Sequence, residues 1–187
     1  MKVSVDNDGT LRNDVQRAFR RLGLGNSRIA EPFRELIFLV SEVLPNKGLA
    51  NNFLGQIKES FKEELDKELV KELVGLQRKH SDLEIVVRTS NPGVSKSDMD
   101  FMKGVLTSNG LRVSGVEFRP VREKGIGADA VLGDGTFTSV AASRHGAEII
   151  MIKRGYNRLS GAVLSMVDRR AHYVKTSEVA RVLERMM

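Results

Sequence analysis

Residues 3–12 read VSVDNDGTLR, and this stretch places two carboxylates at the point where a short apolar run ends. Val3 and Val5 are β-branched and alternate with polar neighbours, which is typical of a strand. The Asn-Asp-Gly sequence that follows interrupts a strand, although it is also a common turn sequence. Asp6 and Asp8 therefore lie at the carboxyl end of a predicted N-terminal strand. In open α/β sheets, ligands bind at this end of the strands.

The composition limits the class of protein. The 187 residues suffice for one domain, or for a core domain with a modest insertion, and the 41% hydrophobic share is adequate for a packed core. Cysteine is absent, which excludes a disulfide framework, a thiol nucleophile and a zinc-thiolate site. No apolar run approaches the ~20 residues of a membrane span, and no apolar signal peptide follows Met1. We therefore expect a cytoplasmic protein that has no membrane partner.

The charge is basic and unevenly distributed. The formal net charge is +6, and residues 144–187 hold nine Lys or Arg against four Asp or Glu. A basic surface favours polyanions or phosphorylated small molecules as partners. The eight Phe and two Tyr are scattered, so the sequence does not show the aromatic platform on which single-stranded nucleic acids stack. Nucleic acid is therefore the less favoured partner.

Short apolar runs predict five strands and a possible sixth, at residues 2–5, 84–88, 112–118, 130–132, 148–152 and 172–174. Helical patterns separate most of these runs. Such alternation is typical of a parallel sheet with helices on both faces. The predicted fold class is therefore α/β, with a Rossmann-like parallel sheet flanked by helices.

The first two strands are separated by about 75 residues, far more than a crossover needs. The apolar spacing in this gap predicts one helix over 29–44 and another over 55–79. The last three turns of the second helix lead directly into the second strand, and we assign them to the core. We therefore predict a core of residues 1–12 and 67–187, with a small helical cap of residues 13–66 inserted after the first strand.

Polar residues occur at the ends of the later strands as well. TSN (89–91) ends the second strand, Lys124 precedes the fourth, and GDG (133–135) ends the fourth. Parallel strands bring their carboxyl ends to one edge of the sheet. We therefore expect one site at this edge, formed by Asp6, Asp8, Thr89 or Ser90, Lys124 and Asp134.

These motifs, in this order, resemble those of the haloacid dehalogenase superfamily of phosphohydrolases, and in particular its phosphoglycolate-phosphatase-like members. The most specific motif is DNDGT at 6–10. The resemblance covers about residues 1–12 and 68–187, including VLGDGTFTSVAASRHGA (131–147) and HYVKTSEVARVLERM (172–186). It implies a Mg²⁺-dependent phosphatase acting on a small phosphorylated metabolite.

The resemblance also implies a role for each acidic residue. Asp6 would be the nucleophile, since an ionised carboxylate can form an aspartyl-phosphate that water then hydrolyses. Asp8 would protonate the leaving oxygen and then activate the water. Mg²⁺ would be held by the Asp6 carboxylate, the Asp8 backbone carbonyl and Asp134.

The phosphate would be bound by the hydroxyl of Thr89 or Ser90 and by a lysine. In the family a helix usually separates this lysine from the GD motif, whereas Lys124 lies only nine residues before Gly133. Lys103, on the preceding predicted helix, is therefore the alternative.

The sequence departs from the family at a second position. A gapless alignment puts Thr138 where a second acid usually follows GD, and a hydroxyl does not replace the charge of a carboxylate. Asp129 or another acid is a candidate to assist. The alternative function is a catalytically weakened binding protein that uses its basic surface for nucleic acid or another anionic partner.

The predicted cap carries its own basic cluster. Arg17, Arg20 and Arg21 lie close together in the first cap segment. Because a cap inserted after the first strand lies over the nucleophile, these arginines are candidates for contacting an anionic leaving group.

Overall fold

The computed structural model describes residues 1–12, 15, 19–20, 31–43 and 57–187. Six parallel strands form one sheet: β1 Lys2–Asp6, β2 Glu84–Thr89, β3 Gly115–Phe118, β4 Ala130–Gly133, β5 Glu148–Ile152 and β6 Ala171–Val174. The described residues also form seven α-helices: α1 Glu31–Val43, α2 Ile57–Glu64, α3 Lys67–Lys79, α4 Lys96–Ser108, α5 Thr136–Arg144, α6 Arg158–Val167 and α7 Val179–Glu184. The predicted α/β fold class is confirmed.

The N-terminal strand lies in the middle of the sheet. The strand order is β3-β2-β1-β4-β5-β6, so β1 pairs with β2 on one side and with β4 on the other. Val3 and Val5 are fully buried as a result. The chain builds outward from β1 to β3 and then returns to β4 on the opposite side. This reversal makes the carboxyl ends of β1 and β4 the switch point at which ligands bind in such sheets.

Apolar side chains cover both faces of the sheet. On one face, Leu69, Leu73 and Leu76 of α3 are buried in a cluster that includes the inward valines of β1. On the other face, Val131 and Ile149 belong to a second cluster, with side chains from α5 and α6. The helical period of the leucines and the β-branched residues of the strands produce this layering.

The predicted helix over 55–79 is interrupted. The structure has two helices there, because Asp66 begins a new one by accepting a hydrogen bond from the Leu69 amide at 3.0 Å. The preceding residue, Leu65, forms an antiparallel bridge with Arg12. The prediction of one continuous helix is therefore wrong, since an N-cap and a backbone bridge outweigh the apolar spacing.

A buried contact joins the two ends of the segment between Arg12 and Leu65. The Arg12 guanidinium donates to the Glu64 carboxylate at 2.6 Å and lies 5.9 Å from the centre of the Phe61 ring. Arg12 is fully buried. These contacts join the two ends of the predicted cap, whose limits at 13 and 66 stay a prediction.

Helix α1 of the predicted cap is docked on the core. Arg34 donates from Nε and a terminal nitrogen to the Gly155 carbonyl, at 3.2 and 3.0 Å. Glu35 accepts from the amides of Leu159 and Ser160, at 3.3 and 2.6 Å. Glu35 therefore satisfies the first amides of α6 and is favoured there by the helix dipole.

Among the described residues, no helix is long and apolar enough to cross a membrane.

Candidate active site

Asp6 and Lys124 form a buried ion pair at the carboxyl end of β1. The Lys124 ammonium donates to Asp6 Oδ1, and the two residues are 1% and 5% exposed. Ionised groups are expensive to bury unless they are paired, and here each charge is compensated by its partner. The structure brings Lys124 to the predicted nucleophile. Lys103 is exposed on α4 instead.

The loop that carries Lys124 is held by a residue that the sequence did not indicate. Arg88, in register with Asp6 on β2, donates to the Lys124 carbonyl. Its Nε donates to the Glu117 carboxylate on β3 at 3.0 Å. Arg88 is 3% exposed, so the position of the lysine depends on a buried guanidinium. Gly125 follows directly, and a Cβ there would lie 2.7 Å from the Ala142 Cα, which favours glycine at that position.

Asp134 directly follows β4, and each of its carboxylate oxygens accepts a hydrogen bond from a hydroxyl. Thr10 donates to Oδ1 at 2.7 Å, and Tyr156 donates to Oδ2 at 2.5 Å. Burial raises the pKa of Asp134 above its ordinary value, and the two hydroxyls offset part of that shift. The turn Asn7–Leu11 after β1 is therefore tied to the strand beside it.

Asn157 connects the ends of β4 and β5. Its side-chain amide donates to the carbonyls of Asp134 and Ile152, at 2.9 and 2.8 Å, and its oxygen accepts from the Arg154 amide at 2.8 Å. The neighbouring Tyr156 packs against Phe19 of the predicted cap, with ring centres 5.8 Å apart. The loop after β5 therefore links Asp134 both to the core and to the cap.

Thr89 is the last residue of β2 and is fully buried. Its hydroxyl accepts a hydrogen bond from the Asn91 amide at 3.2 Å. Ser90 follows and is partly buried. Both hydroxyls lie at the same edge of the sheet as Asp6, since β1 and β2 are parallel neighbours.

Several predicted residues lie outside the described part of the chain. The backbone of Asp8 belongs to the turn after β1, but its side chain is outside the described part. Arg17 and Arg21 also lie outside the described residues. Arg20 is described and is exposed.

Asp129 does not assist this site. Its carboxylate accepts from the Lys2 amide at 2.7 Å, which places it at the amino ends of β1 and β4. A residue directly before a strand lies at the opposite edge from a residue directly after it, so the suggestion that Asp129 replaces the missing acid is wrong. Thr138 is buried on α5, with its methyl carbon 4.0 Å from the position of a Cβ on Gly133. It therefore lies beside the end of β4 without supplying a charge.

The oxygen ligands fit Mg²⁺. Asp6 and Asp134 follow adjacent strands, and carboxylate oxygen is the ligand type that Mg²⁺ prefers. Within the described residues, no group of three or more His, Cys, Asp or Glu side chains could hold a metal ion. A Mg²⁺ ion here would therefore rely on two carboxylates, the Asp8 carbonyl and water, which suits an ion that usually keeps several waters.

The fold is shared with solved phosphatases. No family model matches the chain. No curated protein matches it either. It is similar to D,D-heptose 1,7-bisphosphate phosphatase from Burkholderia thailandensis, with 13% identity over 98% of this chain and 97% of that one, at a TM-score of 0.51.

Two further solved structures match over the full length of both chains. One is D,D-heptose 1,7-bisphosphate phosphatase from B. bronchiseptica, complexed with magnesium and phosphate, at 15% identity and a TM-score of 0.55. The other is a hydrolase from Pseudomonas syringae, at 16% identity and a TM-score of 0.50. At these identities the likeness shows the fold alone.

Proposed function

We propose that this protein is a Mg²⁺-dependent phosphatase that hydrolyses the phosphate ester of a small metabolite through an aspartyl-phosphate on Asp6. The observation that carries the proposal is the buried Asp6–Lys124 pair, which lies at the switch point of the sheet next to Asp134. A carboxylate paired with an ammonium in a buried site is suited to attack an anionic phosphate, because the pair lowers the repulsion between the two anions.

The chemistry needs two steps. In the first, an Asp6 oxygen attacks phosphorus, the bond from phosphorus to the ester oxygen breaks, and that oxygen takes a proton from Asp8. In the second, Asp8 takes a proton from water, the resulting hydroxide attacks phosphorus, and the bond to Asp6 breaks to release inorganic phosphate. Lys124 and the hydroxyl of Thr89 or Ser90 hold the phosphoryl oxygens in both steps.

When bound, Mg²⁺ would offset the negative charge of the phosphate at this edge of the sheet. The Asp6 and Asp134 carboxylates and the Asp8 carbonyl would hold it. The hydroxyls of Thr10 and Tyr156 orient Asp134 for this task, since each holds one of its carboxylate oxygens. Thr138 adds no charge, so we expect weaker Mg²⁺ binding than a site with a third acid would give.

The substrate is proposed only as a class. Two of the similar structures are, by name, phosphatases of a sugar bisphosphate, which supports a phosphorylated metabolite as the substrate here. Membership of the phosphoglycolate-phosphatase-like branch stays a hypothesis. A panel of phosphate esters that includes phosphoglycolate and sugar bisphosphates will rank these candidates.

The first prediction tests the enzyme itself. Purified protein should release phosphate from an aryl phosphate in the presence of Mg²⁺ and lose this activity with EDTA. Asp6→Asn should reduce turnover by at least about a thousandfold, because a neutral amide is a poor nucleophile. Lys96→Gln, an exposed change on α4, is the matched control and should retain full activity. No turnover of any ester in the panel with Mg²⁺, Mn²⁺ or Co²⁺ would overturn the proposal.

A non-catalytic binding protein is the alternative, and the uncharged Thr138 beside the end of β4 favours it. Such a protein would bind DNA or RNA through its basic surface, with an affinity that falls steeply with salt. Fluorescence anisotropy with labelled oligonucleotides at low and moderate salt tests this. Binding without phosphatase activity would favour the alternative, whereas a melting temperature raised by Mg²⁺ and phosphate together would favour the enzyme.

A further inference from the structure

A basic cavity of about 590 Å³ lies beside the candidate site, at the carboxyl ends of β5 and β6. Lys153, Arg154 and Gly155, which follow β5 directly, form one wall. Tyr173 of β6 forms another. The cavity also touches α1 of the predicted cap and the first turn of α6. Both core and cap elements therefore line it.

Cations outnumber carboxylates on the cavity wall. Four cations and one carboxylate line it: Arg34, Lys153, Arg154, Arg158 and Glu31. Two more carboxylates lie just outside, but both are already bonded: Asp66 accepts from Arg154 at 2.7 Å, and Glu35 accepts from the first amides of α6. Glu31 is only 3.9 Å from Arg158 and balances one charge. Together these four cations exceed the three carboxylates by one charge, which an anion would neutralise.

The cations differ in how firmly they are held. The Arg34 guanidinium is fixed on the Gly155 carbonyl. Lys153 lies 5.1 Å from the centre of the Tyr173 ring, and the Arg158 side chain is 74% exposed. A guanidinium held in place beside an ammonium and an exposed guanidinium offers several charged donors to a phosphate or carboxylate group.

Arg154 connects this cavity to the candidate active site. Its terminal nitrogen donates to the Thr10 carbonyl at 2.8 Å, and the Thr10 hydroxyl donates to Asp134. Arg154 thus lines the cavity and also holds the turn that orients the predicted metal ligand. Neighbouring strands are about 4.8 Å apart, so β5 and β6 lie roughly 10 and 14 Å from β1. A small metabolite with two anionic ends has a comparable length.

We propose that the basic cavity is an anion-binding site that takes a phosphate or carboxylate group and is coupled to the candidate active site through Arg154. The anion has two chemical sources. It is either the distal anionic group of the substrate or a separate small anion. Only the first source rests on the proposed function, because binding of free phosphate needs no catalysis.

The test is an NMR titration of ¹⁵N-labelled protein with inorganic phosphate, at constant ionic strength and without Mg²⁺. The amides of Lys153, Gly155 and Arg158 should shift and saturate. The double variant Lys153→Gln with Arg158→Gln should weaken this binding by about tenfold or more, because it removes two charged donors. Lys71→Gln with Lys96→Gln, which removes the same charge from exposed positions on α3 and α4, should bind like the wild type.

Shifts that do not saturate, or that persist unchanged in the cavity variant, would overturn the proposal.

Enzyme kinetics then show which of the two anions, the distal group of the substrate or a separate small anion, occupies the cavity. If the anion is part of the substrate, the cavity variant should raise KM for doubly anionic esters and leave the aryl phosphate unaffected. If it is a separate anion, added sulfate should change aryl phosphate turnover in the wild type and not in the cavity variant. An absence of all turnover would contradict the proposed function and leave the NMR result standing.

Discussion

At the scale of single residues, the buried Asp6–Lys124 pair has a large energetic consequence. Both groups are almost completely removed from water, so each charge is compensated by the other. Removing one partner of a buried pair leaves an uncompensated charge, which typically costs about 3–5 kcal/mol. Removing both charges together avoids most of that cost.

A double-mutant cycle measures this dependence. Lys124→Met should lower the free energy of unfolding by about 3 kcal/mol or more, because it leaves Asp6 buried without its cation. Combining it with Asp6→Asn should cost clearly less than the sum of the two single changes. Urea denaturation followed by circular dichroism gives the three values, with exposed Lys103→Met as the control. Additive effects would show that the pair is not coupled in solution.

The sequence predicted only some of these residues. Asp6 and Asp134 were indicated because each lies at the carboxyl end of a strand, and parallel strands bring such ends together. Lys124, in the loop before β4, was indicated by the order of the motifs in the family that the sequence resembles. Tyr156, Asn157 and Arg154 were missed, since the loop after β5 has no motif and its contacts with Asp134 and Thr10 join distant parts of the chain. The catalytic, metal-binding and phosphate-binding roles of the predicted residues stay predictions.

At the scale of elements, close packing of α6 against β6 depends on a glycine. A Cβ on Gly161 would lie 2.4 Å from a carbon of the Tyr173 ring, well inside contact distance. The Tyr173 hydroxyl also donates to Asn157 at 3.3 Å, so the ring has little freedom to move aside. The position of this helix therefore affects the loop that holds Asp134.

Two glycine substitutions should have opposite effects. Gly161→Ala should destabilise the protein by about 1–3 kcal/mol through overpacking against the ring. Gly104→Ala, in α4 with no atom near its added Cβ, should stabilise it by up to about 1 kcal/mol through helix propensity. Thermal and urea unfolding of both variants provide the comparison. Equal changes in the two variants would contradict the contact with Tyr173.

Element boundaries were predictable where local pattern and tertiary contacts agree. The run at 148–152 was predicted at its observed limits, and β1, β2 and β4 were each one residue short. The run at 112–118 was predicted too long, because the Arg112 amide donates to the Gln77 side chain and β3 begins only at Gly115. The break at Asp66 was missed for a similar reason, since a cap and a bridge to Arg12 are not visible in apolar spacing.

At the scale of the whole molecule, Tyr173 lies where the sheet edge, α6 and the predicted cap meet. Burial, together with the nearby Glu35 carboxylate, raises the pKa of Tyr173 to about 12. The unfolded chain ionises a tyrosine near pH 10. The contribution of the protonated Tyr173 phenol to the free energy of unfolding is therefore complete below about pH 10 and is lost as the pH rises through about 12.

Alkaline unfolding should show this loss. The urea midpoint of the wild type should fall between about pH 10 and pH 12 more steeply than that of Tyr173→Phe, which has no phenol to ionise. Absorbance at 295 nm should show Tyr173 ionising well above the ordinary value of 10.0. The difference between the two proteins isolates this residue from the lysines, which titrate in the same range. If the urea midpoints of the two proteins changed in parallel with pH, the raised pKa of Tyr173 would be disproved.

The central position of β1 also affects how the chain emerges from the ribosome. The first strand to be made is paired on one side with Glu84–Thr89 and on the other with Ala130–Gly133. At a synthesis rate of about 5–20 residues per second, the second partner follows the first strand by on the order of ten seconds. Val3 and Val5 spend that interval without the neighbours that bury them in the finished protein. β1 therefore gains its second partner only after residues 130–133 have been made.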